Sequence, residues 1–243
     1  MSDVLARVSS RLPPFFRRAI QLDQMEFDSA LSQMFSLIVK PSVVSKMSKA
    51  RNMTKDHFYR DDPAFLVFQF LFFVLSVMSY HFALGSGFFS LLYFISVQIF
   101  VYYLLFGVIV ATGMLAMLNK YFLRSTVPSE VRREVEWRYC FDVHCNGYFV
   151  YFIWTKVIPY LMLPFILKTS FVPRVLANLL YLVGLSSYIN VVFQGYLELP
   201  MITHQEKLMY PIAAFVFVIL VITLFTSWNL IEMNVSSFWP PTK

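Results

Sequence analysis

Between Asp62 and Lys120 the chain carries no aspartate, glutamate, lysine or arginine. A membrane-crossing helix takes about 20 residues, so this run is too long for one span and fits two. Gly85-Ser86-Gly87 interrupts it, and glycines there permit a tight reversal between antiparallel helices. The pattern predicts spans over residues 64–84 and 88–118, the second protruding at its end. Asp61-Asp62-Pro63 is a helix-start signal: aspartate suits free N–H groups and the positive dipole end, and proline is tolerated at the first turn. Three more apolar runs predict spans over 148–167, 175–196 and 208–231. The third holds Lys156, Pro159 and Pro164, so a kink is expected. The fourth carries Asn178, Asn190 and Gln194, best read as interhelical hydrogen-bonding groups.

The segment before the first span has a different rhythm. Asp23-x-x-Glu26 resembles a capping box, with Asp in place of Ser or Thr. Phe27, Leu31, Met34, Phe35 and Ile38 follow at helical spacing, and Pro41 ends the pattern. Residues 42–58 then mix Val43, Val44 and Met47 with Lys46, Lys49, Arg51 and Lys55. Two readings stand side by side. The helices pack on the protein's own surface, or they lie in the lipid interface with Lys46, Lys49, Arg51 and Lys55 on anionic headgroups.

The expected architecture is therefore all-α: a polytopic helical membrane protein with about five transmembrane helices plus amphipathic, basic N-terminal helices. Residues 1–62 form a cytosolic region, 63–231 the membrane domain with a cytosolic loop at 119–147, and 232–243 a lumenal tail. Composition agrees: 58% of the 243 residues are hydrophobic and 14% charged, with mean hydropathy +0.62. That is too little charge to wet a soluble surface. The first residues lack a signal peptide's apolar core, so the first span is expected to be its own insertion signal. Net charge is +6, but its distribution says more. Of 20 lysines and arginines, 16 fall in the N-terminal region, the 119–147 loop and the 197–207 link. The positive-inside rule makes that face cytosolic and the C-terminus lumenal. Two cysteines in a chain this long do not make a disulfide scaffold.

The densest polar cluster is in the stretch before the third span: Glu136, Trp137, Cys140, Asp142, His144, Cys145 and Asn146. Cys140, His144 and Cys145 supply only three soft ligands at a spacing that matches no standard finger, so no metal and no cofactor is expected. Asp142 and His144 could form an acid/base pair beside the bilayer, as in a lipid hydrolase. The other reading is structural, with Asp142, His144 and Asn146 satisfying backbone groups where a loop enters the span. There is no nucleophile elbow and no phosphate-binding glycine loop. Glu198 is a candidate partner for Lys156, the charged residue well inside a span. Nucleic acid is a poor fit to the basic face, because no RNA-reading motif accompanies it; lipid headgroups are the simpler counter-charge.

Three stretches carry a family resemblance: FFRRAIQLDQMEFDSALSQM at 15–34, TKDHFYRDDPAFLV at 54–67 and VEWRYCFDVHCN at 135–146. GYLELP at 195–200 and Tyr210-Pro211 fit as well. The chain resembles the "uncoordinated fifty" family, also called Golgi membrane protein homologues. Asp61, Asp62, Glu136, Trp137, Asp142, His144 and Asn146 match its pattern, and neither Cys140 nor Cys145 is required by it. The resemblance implies a five-span protein of Golgi and early secretory membranes with a cytosolic N-terminus and no established catalysis. It also implies a role in vesicle-mediated protein transport, including surface delivery of receptors, and a partner among the large exchange factors that activate Arf GTPases. The expected function is a trafficking scaffold; the alternative is a lipid-handling enzyme using Asp142 and His144.

Overall fold

The computed structural model describes residue 18 and residues 25–85, 87–124 and 133–236. Asp23, Arg132 and the far end of the tail lie outside these. Helix α1 (Phe27–Val39) and helix α2 (Ser42–Lys55) form a hairpin turned at Pro41. Helix α3 (Ala64–Leu84) begins where Asp62 accepts the Ala64 N–H at 2.9 Å, and ends at Gly85, whose φ of 70° favours glycine. Helix α4 follows as Phe88–Tyr121. Its 34 residues rise about 50 Å, well beyond a hydrocarbon core of about 30 Å. Residues Val97–Leu105 of α4 are wound as π-helix.

Helix α5 is the correction to the predicted loop at 119–147. It starts at Trp137 and continues through a π turn (Ile153–Val157) to Leu161. Apolar continuity begins only at residue 148, which is why the sequence pattern places the polar stretch outside the helix. A break at Met162 and the short helix α6 (Leu163–Ile166) complete the kink that Pro159 and Pro164 predict. Helix α7 (Phe171–Leu197) returns, and a 3-10 turn (Gln205–Met209) leads into helix α8 (Tyr210–Phe225). The predicted fifth span runs to residue 231, but the chain leaves α8 at Thr226 and forms a separate helix, α9 (Leu230–Ser236). Asn229 caps α9, accepting the Glu232 N–H at 3.0 Å and donating to the Ile166 carbonyl at 2.8 Å.

Among the described residues four helices are long and apolar enough to cross a membrane: α3, α4, α7 and the Gln205–Phe225 segment containing α8. With α5 the bundle has about five crossings, and the chain is a multi-pass helical membrane protein. Among the described residues there is no strand, only an antiparallel bridge between Leu123 and Ile202 that ties the end of α4 to the link after α7. The hub is α5: Tyr139, Cys140 and ten further residues up to Phe152 and Thr155 are buried on it, and it packs on α4 and α7. The outer faces carry large apolar side chains, as a lipid boundary requires; Phe89, Phe217 and Phe225 are among the most exposed. Lys156 is not paired with Glu198. It donates to Asn234 on α9, at the other end of the bundle.

Candidate functional site

At the end of the bundle where α3 starts and α7 finishes, polar groups from five elements converge. Asp142 and Asn146 are four residues apart on α5 and so lie on one helix face. Between them sits Arg60, from the turn that joins α2 to α3. Its Nη1 donates to Asp142, its Nη2 to Asn146 Oδ1 at 2.5 Å, and its Nε to Gln33 Oε1 of α1 at 2.9 Å. Its backbone N–H donates to Asp142 Oδ2 at 3.2 Å, and its guanidinium stacks over Phe65 of α3 at 4.0 Å. One planar fork thus joins α1, α3 and α5, a geometry that lysine cannot reproduce. The Arg60 side chain is 8% exposed and that of Asp142 13%.

Arg51 approaches the same carboxylate at 3.8 Å from α2. Burial holds its guanidinium below the usual arginine value, with Asp142 acting in the opposite direction. Asp62 accepts the Glu26 N–H at 2.6 Å, fixing the start of α1. Asp61 takes Lys55 Nζ at 2.6 Å and His57 Nε2 at 3.3 Å. Burial raises the Asp61 carboxyl, but the Lys55 hydrogen bond and the positive charge around it outweigh that and hold the group below the ordinary carboxylate range. Lys49 pairs with Glu198 at the end of α7, at 3.2 Å. Three of the four cations assigned to lipid headgroups therefore hold carboxylates of their own chain, and Lys46 is exposed. The α2 helix packs on α7 through a face that buries Val44, Ser45 and Ser48. Asp61 is only six residues from Lys55, but Asp142 and Glu198 come from distant parts of the chain, so local charge pattern does not reveal those two.

The remaining predicted residues divide. Glu136 stands at the N-cap position of α5 in extended conformation and lines a cavity of about 240 Å³ with Asp56, Arg133 and Glu134. Trp137 donates to Thr112 of α4 at 3.1 Å and stacks on Phe141. His144 lies two residues from Asp142, on the opposite side of the helix. Its Nδ1 meets the Tyr188 hydroxyl at 2.9 Å, among the rings of Tyr103, Phe106 and Tyr148. Asp142 and His144 are not brought together, and the backbone group that Asp142 satisfies belongs to Arg60, not to its own segment. Cys140 faces Tyr196 and Cys145 faces Tyr103, so with His144 they do not converge on one point.

Sequence reasoning meets Arg60 only as a basic residue and as part of the distinctive Arg60-Asp61-Asp62-Pro63 string of the resemblance, gives it no partner, and does not single out Gln33 or Tyr188. The available signal was the Asp142/Asn146 spacing: two acceptors on adjacent turns call for a donor fork, which arginine supplies.

A family model described as the UNC-50 family matches residues 15–239. The chain is 38% identical over 226 residues to "Protein unc-50" of Caenorhabditis elegans, covering 91% of this chain and 72% of that one. It is 36% identical over 210 residues to the "Protein unc-50 homolog" of Dictyostelium discoideum, covering 85% and 80%. The Drosophila melanogaster homolog is 31% identical over 216 residues, covering 88% and 77%. No solved structure matches the chain. The match spans the hairpin, the Arg60 fork and all the crossings, and the chain belongs to the UNC-50 family.

Proposed function

We propose that this protein is a non-enzymatic scaffold of Golgi and early secretory membranes. Its N-terminus is cytosolic and its C-terminus lumenal, and its polar end recruits an Arf guanine-nucleotide exchange factor. It thereby supports vesicle-mediated protein transport, including receptor delivery. The observation that carries the reading is the built platform at that end. The α1–α2 hairpin is clamped to α3, α5 and α7 by Arg60 and Lys49, so it presents a fixed surface. Lys46, Lys120, Arg124, Arg138 and Lys207 remain exposed around it. Each exposed cation near an anionic leaflet adds about 1 kcal/mol of attraction, and a weak lipid contact beside a weak protein contact holds a peripheral partner well. The names of the relatives are not enzyme names.

The test replaces Lys46, Lys120, Arg124 and Arg138 by glutamate, leaving the Arg60 fork intact. Exchange factor on Golgi membranes is then measured in cells expressing the variant. Recruitment is expected to fall while the variant stays in the Golgi. Unchanged recruitment both here and in a chain lacking residues 1–40 defeats the scaffold reading.

A further inference from the structure

Helix α1 carries two apolar stripes where a surface helix carries one. Ala30, Met34 and Leu37 are buried against the bundle. Leu31, Phe35 and Ile38 stand one residue further on, which at 3.6 residues per turn is about 100° round the helix. With Val39 they are exposed; Phe35 is 68% and Val39 66% open. Ser29, Ser32, Gln33 and Ser36 make up the third side, and two of them, Ser29 and Gln33, line the groove of about 410 Å³ between α1 and α2. Between Asp28 and Lys40 there is no charged residue.

The depth of α1 is fixed by its neighbours. The Phe27 ring lies 5.5 Å from that of Phe68, and Phe68 in turn packs on Phe72. Phe68 is four residues into α3, about 6 Å along the span. Met34 and Leu37 belong to the same buried cluster as Phe149, Val150 and Phe152, which lie inside the apolar part of α5. The helix therefore flanks the first turns of the spans and does not ride above them. On α3, Phe68 and Phe72 face the cluster, while Leu71 and Leu75 on the next stripe are exposed with the lipid-facing surface. The outer stripe of α1 continues that surface.

We propose that the outer face of α1, formed by Leu31, Phe35, Ile38 and Val39, inserts among the acyl chains of the leaflet at the polar end. It makes α1 a wedge that occupies one leaflet only. The occupant is lipid: the helix that carries the face packs on α3 at span depth, beside its lipid boundary, and the face holds no charged residue between Asp28 at its start and Lys40 beyond its end. Lys40, at the turn, and Lys46, early in α2, are both exposed and suit the headgroup level. The inference rests on the membrane-spanning reading and not on exchange-factor recruitment.

The test uses the full chain, purified and reconstituted alone in phosphatidylcholine vesicles, with single cysteines placed at Phe35, Ile38, Ser32 and Leu71 and labelled with an environment-sensitive fluorophore. Cys140 and Cys145 are buried, and the unsubstituted chain gives the background. Phe35→Cys and Ile38→Cys are expected to lose emission to lipids carrying a doxyl group high on the acyl chain, as fully as Leu71→Cys does. Ser32→Cys is expected to lose emission to aqueous iodide instead. Iodide quenching at Phe35 overturns the inference. So does shielding from both quenchers, which would mean that a second copy covers the face. Because no exchange factor is present, either failure leaves the recruiting role to its own test.

Discussion

Replacing Asp142 by asparagine puts the Arg60 fork to its hardest test. The side chain keeps its shape and one acceptor, but the carboxylate charge disappears between two guanidiniums, those of Arg60 and Arg51. Both members of the Arg60–Asp142 pair are nearly sealed from solvent. Removing one partner of such a pair costs about 3–5 kcal/mol, since the other charge stays buried without compensation. The retained acceptor puts the expected loss near the low end, about 3 kcal/mol, which is roughly a 100-fold change in an opening equilibrium. The loss falls on the docking of the α1–α2 hairpin, because Arg60 is what joins Gln33 to α5. Hydrogen exchange in lipid nanodiscs reads this directly. Amides of Ser42–Lys55 are expected to exchange about 100-fold faster, with the opposite end of the bundle, at Leu163–Ile166, unaffected. The double variant Arg60→Gln, Asp142→Asn removes both charges and is expected to recover part of the protection, giving a coupling energy of opposite sign to the single losses. Unchanged exchange in Asp142→Asn, or a double variant worse than the sum of its parts, refutes the assignment of the fork as the clamp.

Two further outcomes follow from close packing. A methyl group on Gly107 would meet His144 Cδ2 at 2.7 Å, so Gly107→Ala is expected to lower thermal stability by about 1–3 kcal/mol through overpacking. His144→Ala in the same chain should relieve that cost, and a melting series in detergent shows whether it does. Asn178, fully buried, donates to Thr223 and to the Trp228 carbonyl and accepts the Leu230 N–H. At about 0.5–1.5 kcal/mol per hydrogen bond, Asn178→Ala is expected to cost about 2–3 kcal/mol and to free Leu230–Ser236 for proteolysis, with α3 and α4 protected as before.

The spans were legible because hydrophobic runs bounded by Gly85, Pro63 and Lys120 leave few alternatives to a bilayer. Their ends were less so. Residues 137–147 of α5 are too polar to register as part of a span, and only tertiary partners such as Arg60 and Tyr188 make them tolerable inside the bundle. At residues 226–236 the polar Thr226, Ser227 and Asn229 interrupt the apolar run, but the break there is held by Asn178 of α7 and by the Asn229 bond to Ile166, partners that the local pattern does not show. In the hairpin, periodicity found the first helix, though Glu26 stands at its N-cap position and not three residues inside it as the capping-box reading has it. It could not tell which cations were already spoken for, because Asp142 and Glu198 lie far along the chain. The polar cluster was found as a set of residues, yet its division into an Arg60 face and a His144 face depends on helical phase, and a stretch read as loop has no phase.

The Arg60 clamp also sets an order of events during synthesis. Arg60 emerges early, but Asp142 follows 82 positions later. At about 5–20 residues per second, the ribosome needs roughly 4–16 s to supply it. Through that interval the hairpin can rest on α3 but lacks its α5 partner, and Lys49 waits longer still for Glu198, 149 positions on. The N-terminal segment is thus made first and seated last, once α5 and α7 have entered the bilayer. Its closure marks completed insertion, and a chain stalled after α4 carries an open hairpin in which Arg60 and Arg51 lack the carboxylate they share.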